Sequence, residues 1–367
     1  MADNPLAAVL AIDGGNSKTD VALVAADGTV LAALRGPGAS HEEHGVDMAV
    51  RILDRMVRSV AEDAGVRSKT IARHTSACLA GADLPEEEAQ LTGELRRRGW
   101  SPTAVAVNDT FAVLRAGLSG ASSASGASGA FAAAGASGAS GDSGGANAGV
   151  AVTCGAGINC VAVAPDGRIW RYLALGTLTG DWGGGRGLSK HVMWHAMRAE
   201  DGRGPATALA PAVASHFGVP TVTDVAIAVH KGKLGDDDLL RLTSVLFTVA
   251  AAGDPVARDL VERQAEEICV MAVTAMRRLG LPAAGTHVVL GGGLLEARDK
   301  LLTTAVEERL AAAAPGVLPW VVDIPPIAGA ALLGLDYLGA DASAAGRLRR
   351  CYLTPGSLGA STSPAGA

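Results

Sequence analysis

Apolar residues run unbroken from position 7 to 12, Ala-Ala-Val-Leu-Ala-Ile, and give way at once to Asp13, two glycines and a polar turn. A continuous apolar run of this length closed by a turn predicts a strand buried on both faces. Residues 20–27 predict a second strand ending in the Asp27-Gly28 turn, and 29–35 a third. The apolar period then lengthens to that of a helix over 42–64. A strand at 73–79, a helix over 84–98, a strand at 104–107 and a helix over 109–117 follow. From residue 150 the order restarts, with strands at 150–154, 158–164 and 168–172 and helical segments filling 187–279. A strand at 286–290, a helix over 296–313, a strand at 317–322 and a helix over 327–338 complete it. The pattern is an α/β protein made of two copies of a βββαβαβα unit, and a cleft between such halves suits a ligand that both must touch.

Four loops carry the candidate chemistry. In the first, Asp13 at the strand end is placed to anchor hydrated Mg²⁺, Gly14 and Gly15 let backbone N–H groups approach phosphate oxygens, and Asn16, Ser17, Lys18 and Thr19 add donors and one positive charge. A strand, glycine turn, strand order differs from loops in which glycines open a helix; an ordinary hairpin is the plainer alternative. The second half opens the same way, Val150 to Cys154 entering Gly155-Ala156-Gly157 and leaving through Ile158 and Asn159. Paired glycine turns of this kind can pinch a polyphosphate from both sides. Gly291, Gly292 and Gly293 stand between a strand and a helix, where absent side chains admit an adenine and ribose. Finally, a strand delivers Asn108 and Asp109 to a helix start, where Asp109 can accept a proton from an attacking hydroxyl. The plainer reading of that pair is a helix N-cap.

Composition narrows the field of partners. The 367 residues suggest about two domains, and an apolar fraction of 49% supplies ample core. A net charge of −6 and no basic run longer than Arg96 to Arg98 argue against nucleic acid. No apolar run is long enough for a membrane span and no cleavable leader is evident, so a cytoplasmic protein with a small-molecule partner is expected. Five cysteines, Cys78, Cys154, Cys160, Cys269 and Cys351, lack zinc-type spacing and read as reduced core residues. Segment 119–149 contains 28 Gly, Ser or Ala in 31 residues, which cannot offset the entropy of ordering; it reads as a disordered insertion. The expected domains are 1–118, that insertion, 150–340 and a C-terminal tail 341–367. His191 and His195, one helical turn apart, read as solvent-facing or capping residues.

With these loops in order, the chain resembles the actin, hexokinase and heat-shock chaperone superfamily of two-domain ATP-binding proteins. Within it, the chain is similar to the N-acetylglucosamine kinases and the BadF/BadG/BcrA/BcrD ATPases that activate CoA dehydratases. The resemblance spans residues 7–340 apart from the insertion. It rests on Asp13 to Asp20, on Cys154-Gly-Ala-Gly-Ile-Asn-Cys160 with Pro165-Asp166-Gly167, on Leu290 to Gly293, and on Gly180-Asp181-Trp182-Gly183-Gly184. It implies two RNase H-like, actin-like ATPase domains around a nucleotide and sugar cleft, with ATP and Mg²⁺ as cofactors. The final helix would pack back toward the first domain.

Carried over residue by residue, the resemblance makes Asp109 the general base for a sugar 6-hydroxyl and Asn108 the residue positioning the ring. Gly157 and Asn159 would contact the sugar; Ser17, Lys18, Gly155 and Ala156 would hold phosphates. Asp181 would line the sugar site or order the closed state. Departures from the kinase pattern are Ala156 for Thr, Ile158 for Ser and Trp182 for Glu. The last exchanges a carboxylate for an indole face suited to stacking on a pyranose. Ser40 and His41 stand in the loop where the kinases carry a sugar-contacting Asn. The implied activity is transfer of the γ-phosphoryl group of ATP to O6 of N-acetylglucosamine. The alternatives are another hexose or N-acetylmuramic acid, an ATPase activator of a CoA dehydratase, and a non-catalytic sugar sensor. A homodimer is compatible with all of these.

Overall fold

The computed structural model describes residues 7–121 and 148–354. The expected insertion therefore lies almost wholly outside the described residues. Strands β1 (Ala7–Gly14), β2 (Lys18–Val24) and β3 (Val30–Pro37) lead into α1 (His41–His44), α2 (Val46–Asp63), β4 (Ala72–Leu79), α3 (Pro85–Arg98), β5 (Thr103–Asn108) and α4 (Thr110–Ala121). The second series begins with β6 (Gly149–Cys154), β7 (Ile158–Val163) and β8 (Ile169–Arg171). Helices follow: α5 (Gly184–Glu200), α6 (Leu209–His216), α7 (Val222–His230), α8 (Asp236–Leu240), α9 (Leu242–Ala251) and α10 (Pro255–Leu279). The chain closes with β9 (His287–Gly291), α11 (Gly293–Glu296), α12 (Lys300–Ala313), β10 (Leu318–Val321), α13 (Pro326–Tyr337) and α14 (Ala342–Leu353). This is the repeated α/β order that the hydrophobic pattern predicts. The two sheets have five strands each, ordered β3-β2-β1-β4-β5 and β10-β9-β6-β7-β8.

Contacts divide the chain into two units. One comprises Met1–Ala151, Val161–Leu173 and Trp320–Ala367; the other comprises Val152–Cys160 and Ala174–Pro319. In the first unit β1 is antiparallel to β2, with Asp13 opposite Asp20, and parallel to β4. Its apolar run is buried because α2 covers one face with Ile52, Leu53, Met56, Val57 and Val60. α13 and α4 pack together in the same unit, α13 also against β1. Every residue of α13 from Ile327 to Asp336 is buried, the mark of a helix enclosed on all sides.

Close approach there requires glycine. A Cβ on Gly329 would lie 1.9 Å from the carbonyl oxygen of Ala112 in α4. Gly329→Val is accordingly expected to lower stability by about 1–3 kcal/mol through overpacking, read as a shift in the urea midpoint.

Three boundaries differ from the sequence pattern. The helix expected over 42–64 breaks at Gly45, whose φ of 74° ends α1 before α2 begins. The helix expected over 296–313 is split, because Arg298 takes φ 52° and the Asp299 side chain caps α12 by accepting from the Leu301 and Leu302 amides. The segment read as a tail carries α14, whose Asp341 cap accepts from Ala344 N at 3.0 Å.

Candidate functional site

In the first unit the Asp13-to-Thr19 segment is a tight hairpin in which Gly15 N donates to Lys18 O at 2.9 Å. The chain leaving β3 folds over it. Ala39 N donates to Gly15 O, and a Cβ on Gly38 would sit 1.8 Å from Asn16 O, so only glycine fits there. The closure brings Ser40 against the loop, 1% exposed and just ahead of His41, the first residue of α1. Three buried side-chain atoms gathered by this fold, Asn16 Oδ1, Thr19 Oγ1 and Ser40 Oγ, have no hydrogen-bond partner among the described residues. Buried polar groups left unpaired cost roughly 1–3 kcal/mol each, which a polar ligand can recover.

Two acids face each other across β1 and β2, and they are not equivalent. Asp20 is held by both arms of Arg35, at 2.7 and 2.8 Å. Asp13 has no such ion pair among the described residues; burial, then the Asp109 and Asp20 carboxylates, push its pKa up to about 8 against the pull of Lys18 and Arg35. A carboxylate crowded by other acids and short of counter-charge fits a divalent cation held by one carboxylate, water and phosphate. Among the described residues no three His, Cys, Asp or Glu side chains group into an all-protein metal cage.

Asn108 and Asp109 lead into α4. Asn108 Oδ1 accepts from Thr110 N, the first amide of α4, at 2.9 Å. Its Nδ2 donates to Asp83 Oδ1 at 2.7 Å, and its backbone N–H donates to Glu88, which is paired with Arg171 at 2.6 Å. Asn108 is thus fixed at three atoms. Asp109 directly precedes α4 and accepts from the Thr110 hydroxyl at 3.4 Å; burial raises its pKa to about 6, against the lowering effect of hydrogen bonds from Thr110 and from its own backbone. Asp83, raised to about 7 by burial and then by Asp109, Glu42 and Glu87, joins the same acidic cluster.

In the second unit three glycine segments converge. Gly155 N donates to Gly157 O, closing the turn between β6 and β7. The first turn of α5 lies on this turn: Gly185 N donates to Gly155 O at 2.8 Å and Arg186 N to Ala156 O at 2.9 Å. Gly184 adopts φ +64°, and a Cβ there would lie 2.5 Å from the Gly157 carbonyl carbon. Its N–H donates to Oε1 of the fully buried Gln264. Gly292, at φ +87°, packs on the backbone of Cys154, while Gly157 and Gly293 face open space. Gly291 ends β9, and Glu296 Oε1 accepts from Gly292 N.

Around this core, Asn159 Oδ1 accepts from the Cys160 amide and Asp181 Oδ2 from the Thr179 hydroxyl. Trp182 is half-buried, its ring 4.9 Å from that of His191 and the Arg263 guanidinium 5.6 Å away. His191, partly exposed, is thus a packing partner of Trp182. Asp83, Glu88, Arg171, Gln264 and Arg263 were missed by sequence reasoning. Glu88 and Arg171 lie 83 positions apart, and no local spacing announces them.

Comparison with known proteins places this arrangement among relatives. The BadF/BadG/BcrA/BcrD ATPase family matches the chain over residues 10–334. An N-acetyl-D-glucosamine kinase of Dictyostelium discoideum is 22% identical over 339 residues, covering 89% of this chain and 97% of its own. A crystal structure of a candidate N-acetylglucosamine kinase from Chromobacterium violaceum is 21% identical and superposes with a TM-score of 0.63 over 90% of this chain and 99% of its own. A ROK family glucokinase from Streptomyces griseus, solved with glucose and AMPPNP, is 15% identical and superposes at 0.51 over 90% of this chain and 98% of its own. The fold is that of two-domain, actin-like sugar kinases.

Proposed function

The chain belongs to the BadF/BadG/BcrA/BcrD ATPase family, and we propose that it is an ATP-dependent amino-sugar kinase that phosphorylates the 6-hydroxyl of N-acetylglucosamine. The observation that carries this reading is the buried Asp109 carboxylate at the start of α4, whose charge acts on Asp13 and whose neighbour Asn108 is fixed by the Thr110 amide and Asp83. The Dictyostelium relative, named for N-acetyl-D-glucosamine, supports that sugar as the acceptor.

In the first unit, the loop Asp13 to Thr19 is the candidate phosphate loop, Asp109 the candidate base, and Ser40, His41 and Asn108 candidate sugar contacts. In the second unit, Gly155 and Ala156 are candidates for phosphate, Gly291 to Gly293 for the adenosine, and Gly157, Asn159, Asp181 and Trp182 for the sugar. Held at Asp13, Mg²⁺ would neutralise charge on the transferring phosphoryl group. Asp109 takes the O6 proton as O6 bonds to the γ-phosphorus and the bond from that phosphorus to the β,γ-bridging oxygen breaks, so that ADP departs. Positioning and charge account for the rate. Trp182, backed by His191 and Arg263, offers a flat face to a pyranose.

The thiols that flank the second glycine turn do not favour the dehydratase-activator alternative. Cys154 is raised to about 12, and Cys160 is also raised, in both by burial. Cluster chemistry needs accessible thiolates.

A base whose pKa lies near 6 must be deprotonated to work. The rate kcat/KM is therefore expected to fall about tenfold per pH unit on the acid side of that value and to level off above it; a cation at Asp13 moves the inflection lower. An inflection above pH 7 contradicts Asp109 as the base.

Coupled ADP release over glucose, glucosamine, N-acetylglucosamine, N-acetylmannosamine and N-acetylmuramic acid tests the acceptor. The highest kcat/KM is expected for N-acetylglucosamine. Release unaffected by any sugar would overturn the reading.

A further inference from the structure

The C-terminal helix α14 lies outside every motif found in the sequence, and its placement is specific. Near its start, Ala344 O sits where a Cβ on Gly28 would come within 2.0 Å, and Arg347 pairs with Asp27, so the helix is fixed beside the β2–β3 turn. Arg349 fastens the next turn, donating to Ala116 O of α4 and pairing with Asp323. From Ala344 to Tyr352 a helix advances about 12 Å. β2 covers about the same distance from the turn end at Val24 back to Asp20. Tyr352 therefore comes level with Asp20, which pairs with Asp13 across β1 and β2. Consistent with this, burial and then the Asp20, Cys351 and Asp13 charges all raise its hydroxyl.

That hydroxyl is buried and has no hydrogen-bond partner among the described residues. Asp20, the nearest plausible acceptor by charge, already receives Arg35 on both oxygens. A phenol carries a donor that is expensive to leave unused. Asp13, paired with Asp20 in the sheet, is the acid that burial and neighbouring carboxylates raise.

We propose that Tyr352 is a nucleotide-binding residue of the first unit, its hydroxyl donating to the metal–phosphate group held at Asp13, so that α14 forms part of the nucleotide site. The inference rests on the kinase reading and adds to it a residue from beyond the family's matched span, which ends at 334.

Tyr352→Phe removes the hydroxyl and keeps the ring. Calorimetric titration of the full chain with Mg-ADP is expected to show about tenfold weaker binding for the variant, with the thermal midpoint of the free protein unchanged or raised because an unpaired buried hydroxyl has gone. Weakening with Mg-ADP alone assigns the bond to the water shell of the cation; weakening also with metal-free ADP assigns it to phosphate, and either supports the proposal. Binding within twofold of wild type, with or without a lowered midpoint, overturns it and leaves the kinase reading standing. A wild-type protein that binds no Mg-nucleotide overturns both.

Discussion

Asp109→Asn is expected to lower kcat by about 10²–10⁴-fold while leaving the affinities for Mg-nucleotide and sugar within a few-fold of wild type. The substitution keeps the shape and the hydrogen bond that Thr110 offers, but removes the only property the mechanism uses, a carboxylate able to take the O6 proton. Asn108 remains anchored to Asp83, Glu88 and the Thr110 amide, so the start of α4 should not move. Coupled ADP release gives the rate and calorimetry the affinities. Turnover within tenfold of wild type would show that Asp109 is a structural acid and that proton transfer has another acceptor.

The largest loss of stability is expected from Asp336→Ala. Asp336 on α13 receives both arms of Arg115 on α4, at 2.6 and 3.0 Å, with side chains only 5% and 9% exposed. Removing one partner leaves a guanidinium buried without its counter-charge, which costs about 3–5 kcal/mol. A urea midpoint unchanged by Asp336→Ala would mean that water reaches Arg115. The paired replacement Arg115→Met with Asp336→Leu should recover most of the loss, because the burial penalty disappears with both charges.

Much of this was legible in the order of residues. The run from Ala7 to Ile12 had to be a buried strand, and the acid and glycines after it had to be a turn; both follow from local patterning. The repeat at Val150 made a second copy of the unit readable, and the Gly155 turn with it. What local patterning could not show was which acid stays free. Asp13 and Asp20 look alike in sequence, and only the pairing of β2 with β3 gives Arg35 to Asp20. Asn108 and Asp109 were equally suited to a cap; what fixes the Asn108 side chain is Asp83, 25 positions away on the loop before α3. Gly184 announces a turn, but its dependence on Gln264, 80 positions on, is a product of packing. The helix α14 escaped notice because its small residues, Ala342 to Gly346, carry little apolar periodicity, although Asp341 is a recognisable cap.

The central claim is that this chain moves the γ-phosphoryl group of ATP to O6 of N-acetylglucosamine with Asp109 as the base. Phosphorus-31 and carbon-13 NMR of the product formed from Mg-ATP and N-acetylglucosamine test it most directly. The account predicts one phosphate monoester per ADP, coupled to C6 of the sugar and formed by wild type but not by Asp109→Asn. ADP accompanied by free inorganic phosphate, or a monoester on any other carbon, would contradict it.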